Sequence, residues 1–218
     1  QYEFINASIK DDIVGNNKIN FTFTISESKK FYVNRINILG NTVTAESVIR
    51  NQLMLDEGDP FSDILVNKSI NNIKSLNFFK QVKQKIKIDE GTKTKSIDIF
   101  VEEKPTGEIY ASAGAGTSGT SFGFGVKENN FLGKGIGLDT NALISTSQFK
   151  GKFSITNPNF NNSDKSLYFS AEATEIDNYE TFGYKTNKTG FRVGTNFEYL
   201  NDFYLGLNNS NFYEIIET

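Results

Sequence analysis

The chain has neither cysteine nor histidine. The first absence excludes disulfide staples, thiolate nucleophiles and cysteine metal sites. The second removes the usual general base, serine–histidine dyads and most zinc chemistry. Chemistry resting on carboxylates alone survives both exclusions. No window approaches about 18 consecutive apolar residues, so no membrane-crossing helix is encoded. A membrane β-strand, with about nine to eleven residues of alternating polarity, would leave no such run. A net charge of −3 gives no basic excess to argue for nucleic acid. No signal-peptide pattern opens the chain. Gln1 starts inside a strand-like run, as expected of a segment cut from a longer protein. Against 3 prolines stand 20 Phe, 9 Tyr and 18 Gly, a balance that favours β structure.

The stretch Tyr110–Gly125 reads YASAGAGTSGTSFGFG, and its GAGTSG spells the dinucleotide pattern G-x-G-x-x-G. That pattern holds a pyrophosphate only where a strand gives way to a helix. Here Phe122, Phe124 and Val126 alternate with Ser121, Gly123 and Gly125, a period of two and therefore a strand. The sequence predicts a strand, a tight turn and a second strand, with no phosphate site.

Residues 1–30 hold two strand-like runs, Tyr2–Lys10 and Lys18–Ile25, around a turn predicted over Asp11–Asn17. Two strands alone are marginal in water, so these are expected to be the remnant of a preceding domain. Residues 31–104 read as a β-α-α-β-β module. Phe31–Leu39 is strand-like. Thr44 can cap a helix carrying Ala45, Val48, Ile49 and Leu53, which Leu55–Pro60 would stop. Ser62 starts a second helix with a Val66, Ile70, Ile73 and Leu76 stripe, closed by Asn77 in the left-handed conformation. On the next strand Val82, Ile86 and Ile88 oppose Lys83, Lys85 and Lys87. On the last, Ile97, Ile99 and Val101 share a face. A three-stranded sheet with one face under two helices satisfies every stripe. The lysine row is either a solvated guard on a sheet edge or an edge open to an incoming strand.

Helical periodicity ends at Lys104-Pro105. Residues 105–218 hold six or seven runs of about ten residues, each apolar on one face and polar on the other. Phe122, Phe124, Phe153, Phe169 and Phe197 fall on apolar faces, and Lys127, Lys152, Glu172 and Arg192 on polar ones. A soluble sandwich gives the same local alternation. Mixed charges with glycine on the polar faces favour a membrane barrel, as do Phe160, Tyr168, Tyr179, Tyr184, Tyr199 and Phe203 near strand ends, where an aromatic girdle would lie.

Five motifs in order resemble a known family. Phe31–Ile36 followed by Leu39-Gly40-Asn41-Thr42 resembles the opening of a POTRA domain, and Leu76–Val82 its L-G-F-F-x-x-V signature, with Asn77 for the usual Gly. Glu102–Gly107 resembles the junction into a barrel. Asn130-Phe131-Leu132-Gly133-Lys134-Gly135 matches an N-x-L-G-x-G turn, and Thr156–Phe160 a (T/E)-x-P-x-F turn. Together they are similar to BamA-type outer-membrane assembly factors. The resemblance implies an α+β POTRA domain followed by antiparallel transmembrane β-barrel strands of an incomplete barrel. It implies a mechanical role in the bacterial outer membrane, with the POTRA part in the periplasm. Its implied partners are unfolded outer-membrane protein clients, accessory assembly lipoproteins and the lipid bilayer. Cofactor, metal and catalytic residues are not implied. The lateral-gate strand would be Thr106–Gly116, with Ala111, Ala113, Gly114, Ala115 and Gly116 making a thin seam. Glu57 matches an acidic position facing an accessory lipoprotein, or is a solvated loop acid. The same superfamily offers a two-partner secretion or autotransporter-assembly translocator instead. A barrel enzyme and a passive porin are the readings from other classes. The family's late lid-loop motif and aromatic closing strand do not occur in this sequence.

Overall fold

The computed structural model describes residues 5–13, 18–27, 29–116, 119–200 and 203–218. Residues Gln1–Phe4 of the first run, Val14–Asn17 of its turn and Thr117-Ser118 of the glycine-rich turn lie outside the described residues. The chain forms two compact units. One spans Gln1–Leu39, Gln52–Ser75 and Gln81–Val101, the other Gly40–Asn51, Leu76–Lys80 and Glu102–Thr218.

In the first unit, β1 (Ile5–Ile13) and β2 (Ile19–Glu27) pair antiparallel. Asp11, Asp12 and Ile13, expected in a turn, continue β1 opposite Phe21, Asn20 and Ile19. The ladder outweighs the turn preference of two aspartates. Every described β2 side chain is exposed, including Phe21, Phe23 and Ile25.

A three-stranded sheet has the order β3-β5-β4, with β3 (Tyr32–Leu39) parallel to β5 (Thr94–Glu103) and β4 (Phe79–Asp89) at its edge. A bulge between Val33 and Arg35 breaks the simple alternation and lets Val33 and Ile36, three apart, both turn inward. Ile97, Ile99 and Val101 are buried as expected. So are Val66, Ile70 and Ile73 of α2 (Asp63–Ser75), whose Leu65 N–H donates to the Ser62 hydroxyl in a true N-cap. Asn77 is left-handed, at φ 62°. Ile88 is not a core residue. It is 58% exposed, because β4 runs past the covered part of the sheet.

The second unit starts with α1 (Glu46–Arg50), much shorter than its apolar spacing predicted. Leu53 lies beyond it, and Ala45 rather than Thr44 occupies the cap position, without a side-chain bond. The hydroxyl of Thr44 is committed elsewhere, as described below. Seven strands then form one antiparallel meander in sequence order: β6 (Gly107–Gly116), β7 (Gly119–Phe131), β8 (Ile136–Ser145), β9 (Gln148–Asn157), β10 (Lys165–Asn178), β11 (Tyr184–Leu200) and β12 (Phe203–Glu217). A one-turn α3 (Tyr179–Phe182) links β10 to β11. The last three strands, at 14, 17 and 15 residues, exceed the predicted ten. Gly119, at φ 101°, supplies the positive φ that the glycine-rich turn called for.

The register carries one face across the whole sheet. Phe124 stands opposite Ala142, Ala142 opposite Gly151, Gly151 opposite Ala173, and Ala173 opposite Thr189. Phe122, Phe153, Phe169 and Phe197 share that face. The opposite face carries Lys127 across from Asp139, Lys152 across from Glu172, and Arg192 across from Ser170. Tyr168 is not part of an apolar-face girdle. It lies on the polar face over Gly194, where a Cβ would collide with its ring. An aromatic fills the space a glycine leaves, as in Tyr110 over Gly125 and Phe212 over Gly190.

Candidate functional site

The residues at the start of β6 are built from three distant pieces of sequence, all within the second unit. The first piece is Glu103, the last residue of β5. Its Oε2 accepts the Thr42 N–H at 2.9 Å, the Thr42 hydroxyl at 2.6 Å and the Val43 N–H at 2.9 Å. Its Oε1 accepts the Thr44 N–H at 2.6 Å. Residues 42–44 precede a helix, so their amides have no helical partner and need an acceptor. Burial pushes the Glu103 carboxyl up. The bonds from Thr42, Thr44 and Val43 outweigh it and hold the group at about 2, so it is ionised.

Thr44 is buried, and its hydroxyl accepts from Asn130 Nδ2 at 2.9 Å. Asn130 is also buried, and its Oδ1 accepts the Gly135 N–H at 2.7 Å. One amide thus bridges Thr44 to the β7–β8 turn. In that turn Leu132, Gly133 and Gly135 are left-handed, at φ 56°, 69° and 67°. The Ala45 N–H donates to the Gly133 carbonyl at 2.8 Å, and a Cβ on Gly133 would collide with the Val43 carbonyl. The N-x-L-G-x-G spelling is therefore physical: an amide able to donate and accept, and a glycine where two backbones meet.

Glu128 completes the site. Its Oε1 accepts the Asn130 N–H at 2.7 Å and the Thr106 hydroxyl. The Thr106 carbonyl accepts from Asn129 Nδ2 at 3.2 Å and from the Asn129 N–H at 3.4 Å. Thr106, expected within the gate strand, precedes it and is its anchored root.

Above that root β6 is thin. Ala111, Ala113, Gly114, Ala115 and Gly116 are exposed, and β6 pairs only with β7 among the described strands. Glu57 is exposed, and its Oε1 accepts the Ile36 N–H at 2.9 Å, so this loop acid also fastens its own loop to β3. Lys83, Lys85 and Lys87 are exposed on edge strand β4. Lys87 pairs with the buried Asp98 at 2.7 Å. That bond and one from Asn37 hold Asp98 below the usual carboxylate range. Phe122 and Phe124 are 63% and 55% exposed on the apolar face. Sequence reasoning found the motifs holding Glu103 and Asn130 but not their joining through Thr44. No local pattern links residues 86 positions apart. Among the described residues no cluster could hold a metal ion.

A β-α-α-β-β module leading into antiparallel strands with one apolar face defines a class of fold: a POTRA-like α+β domain followed by part of a β-barrel. The chain is a POTRA domain followed by a BamA-like barrel region. The family model described as POTRA, surface antigen variable number repeat, matches residues 31–104. Among curated relatives, the outer membrane protein assembly factor BamA of Neorickettsia risticii is 33% identical over 132 residues, covering 60% of this chain and 18% of that protein. BamA of Neisseria meningitidis serogroup B is 28% identical over 167 residues, covering 76% of this chain and 20% of that protein. The chain thus spans about a fifth of the length of the curated relatives it matches. The crystal structure of BamA from Haemophilus ducreyi lacking POTRA domains 1–3 shares the fold. Its TM-score is 0.74 at 22% identity, covering 98% of this chain and 41% of that one. CdiB from Escherichia coli gives 0.61 at 10% identity, covering 99% and 42%. The chain's place is the bacterial outer membrane, with the POTRA part in the periplasm.

Proposed function

We propose that this protein inserts unfolded outer-membrane proteins by opening beside β6, while its POTRA part receives the clients and docks accessory lipoproteins. The role is mechanical, not enzymatic. The observation that carries the reading is the composition of β6: Ala111, Ala113, Gly114, Ala115 and Gly116 are too small to contribute much cross-strand packing to any strand along its outer edge. An edge held so weakly can exchange its partner for an incoming strand. Phe122, Phe124, Phe153, Phe169 and Phe197 then face lipid. Glu57 offers a carboxylate oxygen to an accessory protein, and Lys83 and Lys85 flank an edge where a client segment can add.

The domain reading follows the same line: residues 1–30 as the end of a preceding POTRA domain, 31–104 as a complete one, and 105–218 as the first barrel strands. The exposed Ile9, Ile13, Ile19, Phe21, Phe23 and Ile25 of the β1–β2 hairpin support a missing partner for that hairpin. A two-partner secretion translocator shares the fold, but the identities of 28–33% run with BamA proteins.

A disulfide locking β6 to the closing strand of the full-length barrel tests the reading. Oxidised protein should fail to insert clients and reduced protein should succeed, with heat-modifiable gel mobility confirming an intact barrel. Equal insertion by fully crosslinked and reduced forms refutes the gate.

A further inference from the structure

We propose that Thr106, Glu128 and Asn130 are positioning residues that set the register of β6 on β7, because the two strands themselves admit a second register two residues away. In the pairing observed, Tyr110 stands opposite Gly125 and Ser112 opposite Gly123. The Tyr110 ring occupies the space above Gly125, where any Cβ would collide with it. Gly123 lies one pleat period further along the same face, under the small Ser112 side chain and beside Leu143 Cδ1, 3.6 Å from where a Cβ would stand. Sliding β6 by two residues seats Tyr110 over Gly123 and sets Ile109 against Phe124 and Ala111 against Phe122. The other pairs exchanged are mostly small or apolar and no like charges meet, while the opposition of Glu108 to Lys127 is lost. Glycine-rich strands specify register weakly for this reason.

The other aromatic–glycine pairs are keyed. A two-residue slip between β10 and β11 drives Tyr168 from Gly194 onto Arg192 or Asn196. The same slip between β11 and β12 drives Phe212 from Gly190 onto Lys188 or Arg192. Shape holds those registers, whereas β6 has only the Glu108–Lys127 opposition and its hairpin end at Gly116 and Gly119.

The bonds at the root supply what the strands lack. The Thr106 hydroxyl and the Asn130 N–H share one oxygen of Glu128, and Asn129 donates to the Thr106 carbonyl. Asn130 is fixed in turn to Thr44 and Gly135 through its buried amide. A slip of β6 would have to break the Thr106 bonds at once, moving the strand by about 6.7 Å. The outer edge of β6 would move with it, so the root determines which amides that edge presents.

The test needs no client, and so stands apart from the insertion reading. These 218 residues contain no cysteine, and any cysteine elsewhere in the full-length protein is replaced by serine before the pairs are introduced. In the full-length protein in membranes, Ala111→Cys is combined with Phe124→Cys to report the observed register, or with Phe122→Cys to report the slipped one. With the root intact the first pair should oxidise at least about tenfold faster, since only directly opposed residues approach disulfide distance. Adding Thr106→Val with Asn130→Ala should raise the rate of the second pair about tenfold. Phe169→Cys paired with Val193→Cys or Phe191→Cys, across a keyed register, should not respond. The proposal is overturned if the slipped pair stays at background in a barrel whose heat-modifiable mobility shows it folded. It is equally overturned if both pairs oxidise alike with the root intact. Thr106→Val alone carries the test if Asn130→Ala prevents folding, and Thr106→Ser, which keeps the hydroxyl, should restore the original pattern.

Discussion

Replacing Glu103 with glutamine isolates the electrostatics of the 42–44 turn. The carboxylate accepts three bonds on Oε2 and one on Oε1. A glutamine keeps the most by placing its carbonyl at the Oε2 position, which turns its NH2 toward the Thr44 N–H. One charge-assisted bond is lost and a donor on a buried residue is left without an acceptor, a cost of about 2 kcal/mol. In urea unfolding of segment 31–104, which should be cooperative with mixed α/β circular dichroism, the midpoint should fall by about 1–2 M at pH 7. The pH dependence gives a second reading. Glu103 sits at about 2 folded against an ordinary 4.5, so its contribution is complete above pH 4.5 and disappears as pH falls through 2. The full shift would correspond to about 3 kcal/mol, reduced to about 1–2 kcal/mol because water reaches part of the group. The gap between native and Glu103→Gln proteins should therefore close between pH 4.5 and 2, where a protonated glutamate resembles glutamine. A midpoint unchanged at pH 7, or a gap that persists at pH 2, refutes the argument.

Two further outcomes are expected. Ile73→Ala, at a fully buried position of α2, should cost about 2–5 kcal/mol in segment 31–104, and a melt showing less than about 1 kcal/mol would remove Ile73 from the core. In the full-length barrel, spin labels at Phe122, Phe153, Phe169 and Phe197 should favour oxygen, and labels at Lys127, Lys152, Glu172 and Arg192 an aqueous quencher. The same preference at both sets would contradict the assignment of faces.

Much of this architecture was legible because period and burial coincide. Ile97, Ile99 and Val101 alternate without interruption and are buried. Most meander strands carry their apolar residues in a period of two. Legibility failed where a long-range partner outbid a local preference. Thr44 has the chemistry of a helix cap, but its hydroxyl serves Asn130 and its amide serves Glu103. Asp11 and Asp12 favour turns, yet the β1–β2 ladder recruits them. Tyr168 lies close enough to a strand end to suggest an interfacial ring, but a glycine on the next strand decides its seat. Glu57 shows the same limit in milder form, since nothing local ties it to the Ile36 amide.

The exposed edge of β6 also constrains how fast anything can happen there. The strand has ten residues and no proline, and half of them turn backbone groups outward. About ten N–H and C=O groups, at about 3 kcal/mol each in hydrocarbon, amount to about 30 kcal/mol. A step that first emptied that edge and only afterwards refilled it would proceed at about 10⁻⁹ per second. No useful turnover passes through such a vacancy. Any traffic at β6 must go by displacement, one strand leaving row by row as another takes its place, so that only a pair or two of groups is ever without a partner.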